Sequence, residues 1–157
     1  MIKKNIPWLV FTVLFLFIIL GFAFKNKMNN YLSEQMKKNT ATEVKTSVNT
    51  YIDSAFNYNK NGLKFEITFL EIGSKGCSAC KKMESVMTDI QQKYPDKVNV
   101  VFINILKQKS QDIMKYYGVA IIPTQILLDR SGKEIFRHTG YISTDELSKK
   151  LLSFGIK

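Results

Sequence analysis

The chain has two cysteines, Cys77 and Cys80, separated by two small residues, Ser78 and Ala79. They stand where an apolar strand pattern ends and a helical pattern begins. The thiolate is the reactive form of cysteine, and the free N–H groups and dipole of a helix amino terminus favour negative charge there. Cys80 lies one turn inside the helix, within bonding distance of a mixed disulfide on Cys77. The spacing therefore predicts a redox-active pair, with Cys77 as the attacking nucleophile and Cys80 as the resolving thiol.

Two other uses of these cysteines are open. A structural zinc site needs about four ligands, and this CxxC together with the lone histidine, His138, supplies too few. The second alternative is that both cysteines are structural and share this spacing by coincidence. The redox pair is favoured over both, so no metal site is expected.

Hydrophobic patterns around the cysteines predict alternating helices and strands. Strands are predicted over 64–72, 97–106, 123–129 and 134–138, and helices from Val48 to the 59–62 stop, from the cysteines to 94–95, over 107–117 and after the capping box at 143–146. The loop 73–76 joins the first strand to Cys77. The order α-β-α-β-α-β-β-α predicts an α/β fold in which the first two strands are parallel and the final hairpin adds an antiparallel edge.

The amino-terminal part of the chain has a different character. Residues 6–24 form a 19-residue apolar run without charge, which as a helix spans roughly 28 Å. A cleaved secretory signal has a shorter apolar core and small residues at the cut, and here only Gly21-Phe22-Ala23 offers them. The chain is therefore predicted to have a flank (1–5), a single retained transmembrane anchor (6–24), a juxtamembrane tether (25–46) and a globular domain (47–157).

Composition and charge narrow the classes of partner. The chain has 23 Lys and Arg against 13 Asp and Glu, but the net charge of +10 is spread along its 157 residues. Because no basic block concentrates the charge, nucleic acid is not an expected partner, and a surface near anionic lipid explains the charge better. The bilayer itself is the expected partner of residues 6–24.

Two stretches resemble the thioredoxin family. They are residues 71–83, EIGSKGCSACKKM, and Ile122-Pro123-Thr124, followed by the last hairpin with Gly140; the resemblance covers residues 46–156. It implies the thioredoxin fold, a central mixed four-stranded sheet flanked by helices, here preceded by the predicted transmembrane helix. It also implies that Pro123 has a cis peptide bond and faces the cysteines, and that the backbone of Ile122 pairs with a substrate chain. Thr124 and Gly76 are expected beside them as substrate-binding positions.

The resemblance also assigns a role to Glu71. The family has a buried acid six positions before its first cysteine, and Glu71 occupies that position. A carboxylate under Cys80 takes the proton of that thiol when it must attack. The alternative for Glu71 is a partly exposed acid at the end of a strand.

The sequence departs from the family pattern next to the cysteines. Gly76 replaces the tryptophan that usually precedes the first cysteine, and Gly73 replaces a second aromatic residue. We therefore expect an open Cys77 sulfur. The helix terminus and the nearby lysines are expected to lower the pKa of Cys77 below about 8.5, while burial raises that of Cys80. The lysines in question are Lys75, Lys81 and Lys82.

These features together predict a membrane-tethered thiol–disulfide oxidoreductase that mainly reduces exported proteins, with its domain on the extracytoplasmic side of the cell membrane. Its Cys77–Cys80 disulfide would be reset by a membrane-bound or soluble electron donor. No metal, flavin or nucleotide cofactor is expected, because the sulfurs carry the two electrons and no phosphate-binding glycine motif occurs. The alternative is a non-enzymatic adaptor or chaperone that holds a partner in the cis-proline groove, using Phe65, Tyr116 and Tyr117 as aromatic surface.

Overall fold

The computed structural model describes residues 6–157, so the predicted flank 1–5 lies outside the described residues. Within that range the chain forms six helices and four strands. The helices are α1 (Ile6–Asn39), α2 (Thr42–Phe56), α3 (Tyr58–Asn61), α4 (Ser78–Lys93), α5 (Gln108–Tyr117) and α6 (Thr144–Ser153), and the strands are β1 (Ile67–Gly73), β2 (Val98–Asn104), β3 (Thr124–Leu128) and β4 (Glu134–Thr139).

The four strands form one mixed sheet in the order β2-β1-β3-β4. Strands β1 and β2 are parallel, β3 runs antiparallel to β1, and β4 runs antiparallel to β3. This arrangement confirms the predicted parallel pair with an antiparallel hairpin at one edge. Because β1 and β3 are antiparallel, the carboxyl end of β1 at Gly73 and the amino end of β3 at Thr124 lie at the same end of the sheet.

Apolar side chains cover both faces of the sheet. On one face, β1 and β3 pack against α4 and α6 through a cluster that includes Ile67, Phe69, Leu127, Met83, Ile90 and Leu147. On the other face, they pack against α2 and α5 through Leu70, Ile72, Ile126, Ile52, Phe56 and Tyr117. The alternation of β1 residues between the two clusters is the period of two that a strand imposes on its side chains.

Helix α6 begins as the sequence predicts. Ser143 is its N-cap, and its side chain accepts a hydrogen bond from the backbone N–H of Glu146. The Glu146 carboxylate in turn accepts one from the backbone N–H of Ser143. This reciprocal pair is the capping box, and it satisfies two N–H groups that the first turn of a helix leaves free.

Helix α1 runs through most of the segment predicted to be a tether, 25–46, and its last turns pack on the domain. Ser33 is buried against Gly118, whose missing side chain lets the two backbones meet. Thr40 Oγ1 donates to the carbonyl oxygen of Lys115 at 3.2 Å, and Arg137 Nη1 donates to Ser33 Oγ at 3.3 Å. The end of α1 in this segment is therefore docked on the domain. The predicted boundary between tether and domain at residue 47 stays a prediction.

The amino-terminal half of α1 carries the apolar run over 6–24. Its apolar side chains from Trp8 to Leu20 are exposed by 44% to 76%. Of the helices in the described part of the chain, none is both long enough and apolar enough to cross a membrane. The transmembrane anchor stays a prediction.

Candidate active site

Cys77 is the N-cap residue of α4. Its backbone is extended, with φ −89° and ψ 120°, and its carbonyl oxygen accepts the N–H of Lys81 at 3.0 Å, which closes the first helical turn. The Cys77 sulfur accepts the backbone N–H of Cys80 at 3.3 Å. The sulfur therefore occupies the place where a side-chain oxygen usually caps a helix, among N–H groups that have no partner within the helix.

This position lowers the pKa of Cys77. The largest cause is a hydrogen bond from the Cys80 thiol, followed by the backbone N–H of Cys80, with a smaller contribution from that of Ala79. The predicted direction of the pKa shift and the predicted role of the helix terminus are confirmed. The causes are neutral donors of the first helical turn rather than the neighbouring lysines.

Cys80 is the protected partner of the pair. It is 3% exposed, and both cysteines are free thiols. Burial is the main cause that raises the pKa of Cys80 to about 11, and its hydrogen bond to the Cys77 sulfur adds to the shift. Gly73 makes room for it, because a Cβ on that glycine would lie 3.0 Å from Cys80 Sγ. The pair thus combines an accessible sulfur that favours the thiolate with a buried sulfur that favours the thiol.

Glu71 lies beneath this pair on β1. Its side chain is 0% exposed, so the alternative of a partly exposed acid at a strand end is wrong. Desolvation raises the pKa of the carboxyl to about 8, although a hydrogen bond from Gln125 opposes the shift. A negative charge on Glu71 raises the pKa of both Cys77 and Cys80, so the three groups lie within electrostatic range of one another.

The segment that precedes β3 has the predicted cis peptide bond, between Ile122 and Pro123. The Pro123 carbonyl oxygen accepts the N–H of Gly140 at 2.8 Å, and Thr124 Oγ1 donates to the carbonyl oxygen of Ile121 at 2.7 Å. These bonds hold the segment at the end of the sheet that also carries the cysteine loop. The substrate-binding role of Ile122, Pro123 and Thr124 stays a prediction.

Gly76 directly precedes Cys77 and lies in an exposed loop. A Cβ added there would meet no atom within 4 Å, so the space beside Cys77 is open as expected. Its substrate-binding role also stays a prediction. Over residues 6–157, no three His, Cys, Asp or Glu side chains lie close enough together to hold a metal ion.

Gln125 is a site residue that the sequence did not reveal. It is buried in β3 next to Glu71, in the run TQILL. The one available signal was an amide in an otherwise apolar strand. Its partner became visible only with the pairing of β1 and β3, which is a long-range contact.

Comparison with known proteins decides the family. The family model described as a thioredoxin-like domain matches residues 53–155. The chain belongs to the thioredoxin-like family. The match includes both cysteines, Glu71 and the cis-proline segment of this thioredoxin-like protein.

Three known proteins illustrate the similarity. Thiol-disulfide oxidoreductase ResA of Bacillus cereus is 26% identical over 170 residues, which cover 95% of this chain and 96% of ResA. Thioredoxin-like protein HCF164 of Arabidopsis thaliana chloroplasts is 34% identical over 67 residues, covering 43% of this chain and only 26% of HCF164. The crystal structure of thioredoxin NaTrxh from Nicotiana alata covers 73% of this chain and 87% of its own, at 26% identity and a TM-score of 0.51.

Proposed function

We propose that this thioredoxin-like protein is a thiol–disulfide oxidoreductase that mainly reduces disulfides in exported proteins. The observation that carries the proposal is the difference between its two thiols. Cys77 is accessible and has a lowered pKa, while Cys80 is buried behind it and has a raised one. One sulfur is ready to attack, and the other keeps its proton until it is needed.

The reaction follows from the order of the two sulfurs. The Cys77 thiolate attacks one sulfur of a substrate disulfide, and the other substrate sulfur leaves as a thiolate. The Cys80 thiol then loses its proton, attacks the Cys77 sulfur of the mixed disulfide and releases the second substrate thiolate. Two electrons pass from the dithiol to the substrate, and a Cys77–Cys80 disulfide remains. A dithiol donor must then reduce that disulfide.

Glu71 is the proposed proton acceptor for Cys80. With the pKa of Cys80 raised to about 11, few Cys80 thiols ionise by themselves near neutral pH. The Glu71 carboxyl, with a pKa of about 8, takes the proton when ionised and returns it when the disulfide is reduced again. A carboxyl whose pKa lies near the operating pH suits transfer in both directions.

Neutral groups around Cys77 favour a reductant over an oxidant. A strongly oxidising dithiol has a thiolate whose charge is so well stabilised that the reduced form is preferred. Here the lowered pKa of Cys77 comes from the Cys80 thiol and from backbone N–H groups, with no cation among its causes. The small residues Ser78 and Ala79 between the cysteines add no charge.

The substrate chain is proposed to lie along the cis-proline segment. Ile122 is half-buried and directly precedes Pro123, outside the ladder that begins at Thr124. In the described part of the chain, no backbone group bonds to the N–H or C=O of Ile122. These free groups are suited to pair with an extended substrate beside Cys77.

Residues 6–24 are proposed to anchor the protein in the cell membrane, with the domain on the extracytoplasmic side. The support is the exposure of the apolar side chains from Trp8 to Leu20 all around α1. An apolar surface of this extent is costly in water and stable in lipid. Lys3 and Lys4 before the run favour a cytoplasmic amino terminus, but Lys25 and Lys27 after it oppose that orientation, so the charges alone decide little. The outward placement is proposed because a cytosolic thioredoxin needs no membrane anchor.

The proposed anchor is tested in membranes prepared from cells that make the full chain. We expect alkaline carbonate to leave the protein in the pellet, and replacement of Leu14 and Phe15 by Arg to release it. A membrane-impermeant thiol reagent should label Cys77 in intact cells. Labelling only after lysis would contradict the extracytoplasmic placement, and full extraction by carbonate would contradict the anchor.

The adaptor alternative loses its main support. Tyr117 is 4% exposed, and Tyr116 packs against the same core cluster. Phe65 packs against Tyr58, with ring centroids 5.5 Å apart. Because these aromatic side chains pack in or against the hydrophobic core, we propose no second function.

The activity is tested by reduction of insulin with dithiothreitol as the donor, together with the reduction potential of the pair. We expect Cys77→Ser to abolish the activity, and Ser85→Ala, an exposed change on α4, to leave it unchanged. We also expect a potential near that of thioredoxin, about −270 mV. Insulin reduction by Cys77→Ser at the wild-type rate would refute the proposed activity, and a potential near −120 mV would refute the direction.

A further inference from the structure

Gln125 is a buried polar residue directly opposite Glu71. In the antiparallel ladder of β1 and β3 the two are register partners, so their side chains project from the same face of the sheet. Both are 0% exposed, and Gln125 Nε2 donates to Glu71 Oε2 at 2.9 Å. The amide therefore binds the carboxyl that serves Cys80.

The other neighbours of Glu71 provide no second donor. On β2 its register partner is Phe102, which has no donor. At the start of α4, the thiols Cys77 and Cys80 lie within electrostatic range of the carboxyl. Among the described residues, these two thiols are the titratable groups whose pKa a charge on Glu71 raises. The hydrogen bond from the Gln125 amide is therefore the contact that fixes the orientation of the Glu71 carboxyl.

One titratable group lies one strand further away. His138 of β4 is the register partner of Gln125, on the side away from Glu71. Its Nε2 lies 3.1 Å from the carbonyl oxygen of Tyr141, and the ring is half-buried. Its effect on the carboxyl must be separated from that of Gln125 by experiment.

The carboxyl is held at one of its two oxygens. Glu71 Oε1 and Gln125 Oε1 have no hydrogen-bond partner within the described structure. A donor on Oε2 fixes the rotation of the carboxyl and leaves Oε1 as the oxygen that takes up a proton. The same N–H favours the carboxylate over the acid, which partly opposes the effect of burial.

We propose that Gln125 is a positioning residue for disulfide exchange, which holds the Glu71 carboxyl so that Oε1 receives the proton of Cys80. The inference rests on the proposed function, in which Glu71 accepts that proton. In this step the S–H bond of Cys80 breaks, its electron pair stays on sulfur as the thiolate, and an O–H bond forms on Glu71. Gln125 gains and loses neither protons nor electrons.

Gln125→Met tests the role, because methionine fills a similar volume without a donor. We expect the pKa of Glu71 to rise above its present value of about 8 by about one unit, which lowers its carboxylate fraction at neutral pH about tenfold. The resolving step should slow by a similar factor at neutral pH and recover at higher pH. Stopped-flow release of thiol from a mixed disulfide on Cys77, followed across pH, measures this step.

Two outcomes of that experiment overturn the inference. A role in packing alone leaves the pH profile of Gln125→Met at its wild-type position. His138→Gln is the control, and we expect it to leave the profile in place. If His138→Gln moves the pH profile as far as Gln125→Met does, His138 rather than Gln125 controls the pKa of the Glu71 carboxyl.

A measurement on the wild-type protein covers the case in which Gln125→Met does not fold. The side-chain amide resonance of Gln125 should titrate with the same midpoint as the carboxyl carbon of Glu71 in NMR spectra. An amide resonance that stays constant through that titration overturns the inference.

Glu71→Gln separates this inference from the proposed function. If Glu71→Gln resolves the mixed disulfide at the wild-type rate and pH profile, the proton-accepting role of Glu71 fails, and the inference fails with it. If Glu71→Gln is slow and Gln125→Met behaves as wild type, only the inference about Gln125 fails.

Discussion

Gly73 and Cys80 are packed so closely that a Cβ on Gly73 would lie 3.0 Å from the Cys80 sulfur. We expect Gly73→Ala to push that sulfur away from Cys77, and to lower the free energy of unfolding by about 1–2 kcal/mol through crowding. The rate of insulin reduction should fall with it. Chemical denaturation and the insulin assay measure both effects.

Gly76→Ala is the matched control for that substitution. It adds the same methyl group three residues further on, in the loop after β1, where no atom lies within 4 Å of the added Cβ. We expect it to change the free energy of unfolding by less than about 0.5 kcal/mol. Equal losses in the two variants would show that the Gly73–Cys80 contact has no special importance.

The two thiols should titrate far apart. In the wild-type protein, we expect Cys77 to ionise below the ordinary thiol pKa of about 8.5 and Cys80 near its raised pKa of about 11. Cys80→Ala removes the thiol donor but keeps the backbone N–H, so the pKa of Cys77 should rise part of the way back. Ultraviolet absorbance of the thiolates against pH measures each step. A Cys77 pKa that does not respond to Cys80→Ala would contradict the hydrogen bond between the thiols.

Glu71 should make the folded protein less stable as pH rises. Its pKa is raised from 4.5 to about 8 on folding, so between these values the folded state binds more protons than the unfolded state. The free energy of unfolding therefore falls as pH rises from about 4.5 to 8, by on the order of 4 kcal/mol, at about 1.4 kcal/mol per pKa unit.

Denaturation of Glu71→Gln across this pH range tests that dependence. The variant cannot ionise, so its stability should lack this fall and exceed that of the wild type at the alkaline end. Glu84→Gln, an exposed change on α4, should keep the wild-type slope. The same slope in all three proteins would mean that Glu71 does not titrate with a raised pKa.

Gly118 should be essential for the docking of α1. Its φ of +62° is unfavourable for a side chain, and a Cβ there would overlap the carbonyl of Ser33. Gly155 has φ +90°, but a Cβ added there would meet no atom within 4 Å. Gly155→Ala therefore measures the cost of the backbone strain without a steric clash. We expect Gly118→Ala to cost about 2 kcal/mol more than Gly155→Ala, and to speed hydrogen exchange in the last turns of α1. Equal costs would argue against docking.

Local chemistry made the centre of the site predictable. The CxxC pair could be read from the residues themselves, because it stands where a strand pattern ends and a helical pattern begins. The roles of Glu71 and Pro123 were predicted only from the resemblance to the thioredoxin family. The capping box of α6 is equally local, since both partners lie within four residues. The parallel pairing of the first two strands and the antiparallel final hairpin were predicted from the helix that joins the first pair and the short turn that joins the last.

Long-range contacts account for what the sequence did not show. Gln125 reads as one polar residue in an apolar strand until β1 and β3 pair and place it opposite Glu71. The docked end of α1 has no apolar period, because polar residues hold it. Ser33 meets the backbone of Gly118, just after α5, and Thr40, just after α1, bonds to the Lys115 carbonyl oxygen. Neither interaction leaves a periodic pattern in the chain.

The central claim is that Cys77 attacks and Cys80 resolves. Cys80→Ala, mixed with a peptide that contains a disulfide, should accumulate a mixed disulfide because the resolving thiol is missing. Mass spectrometry of the digested adduct locates the bond. The account predicts that the peptide is linked to Cys77 in nearly all molecules, and absence of any such adduct would contradict it.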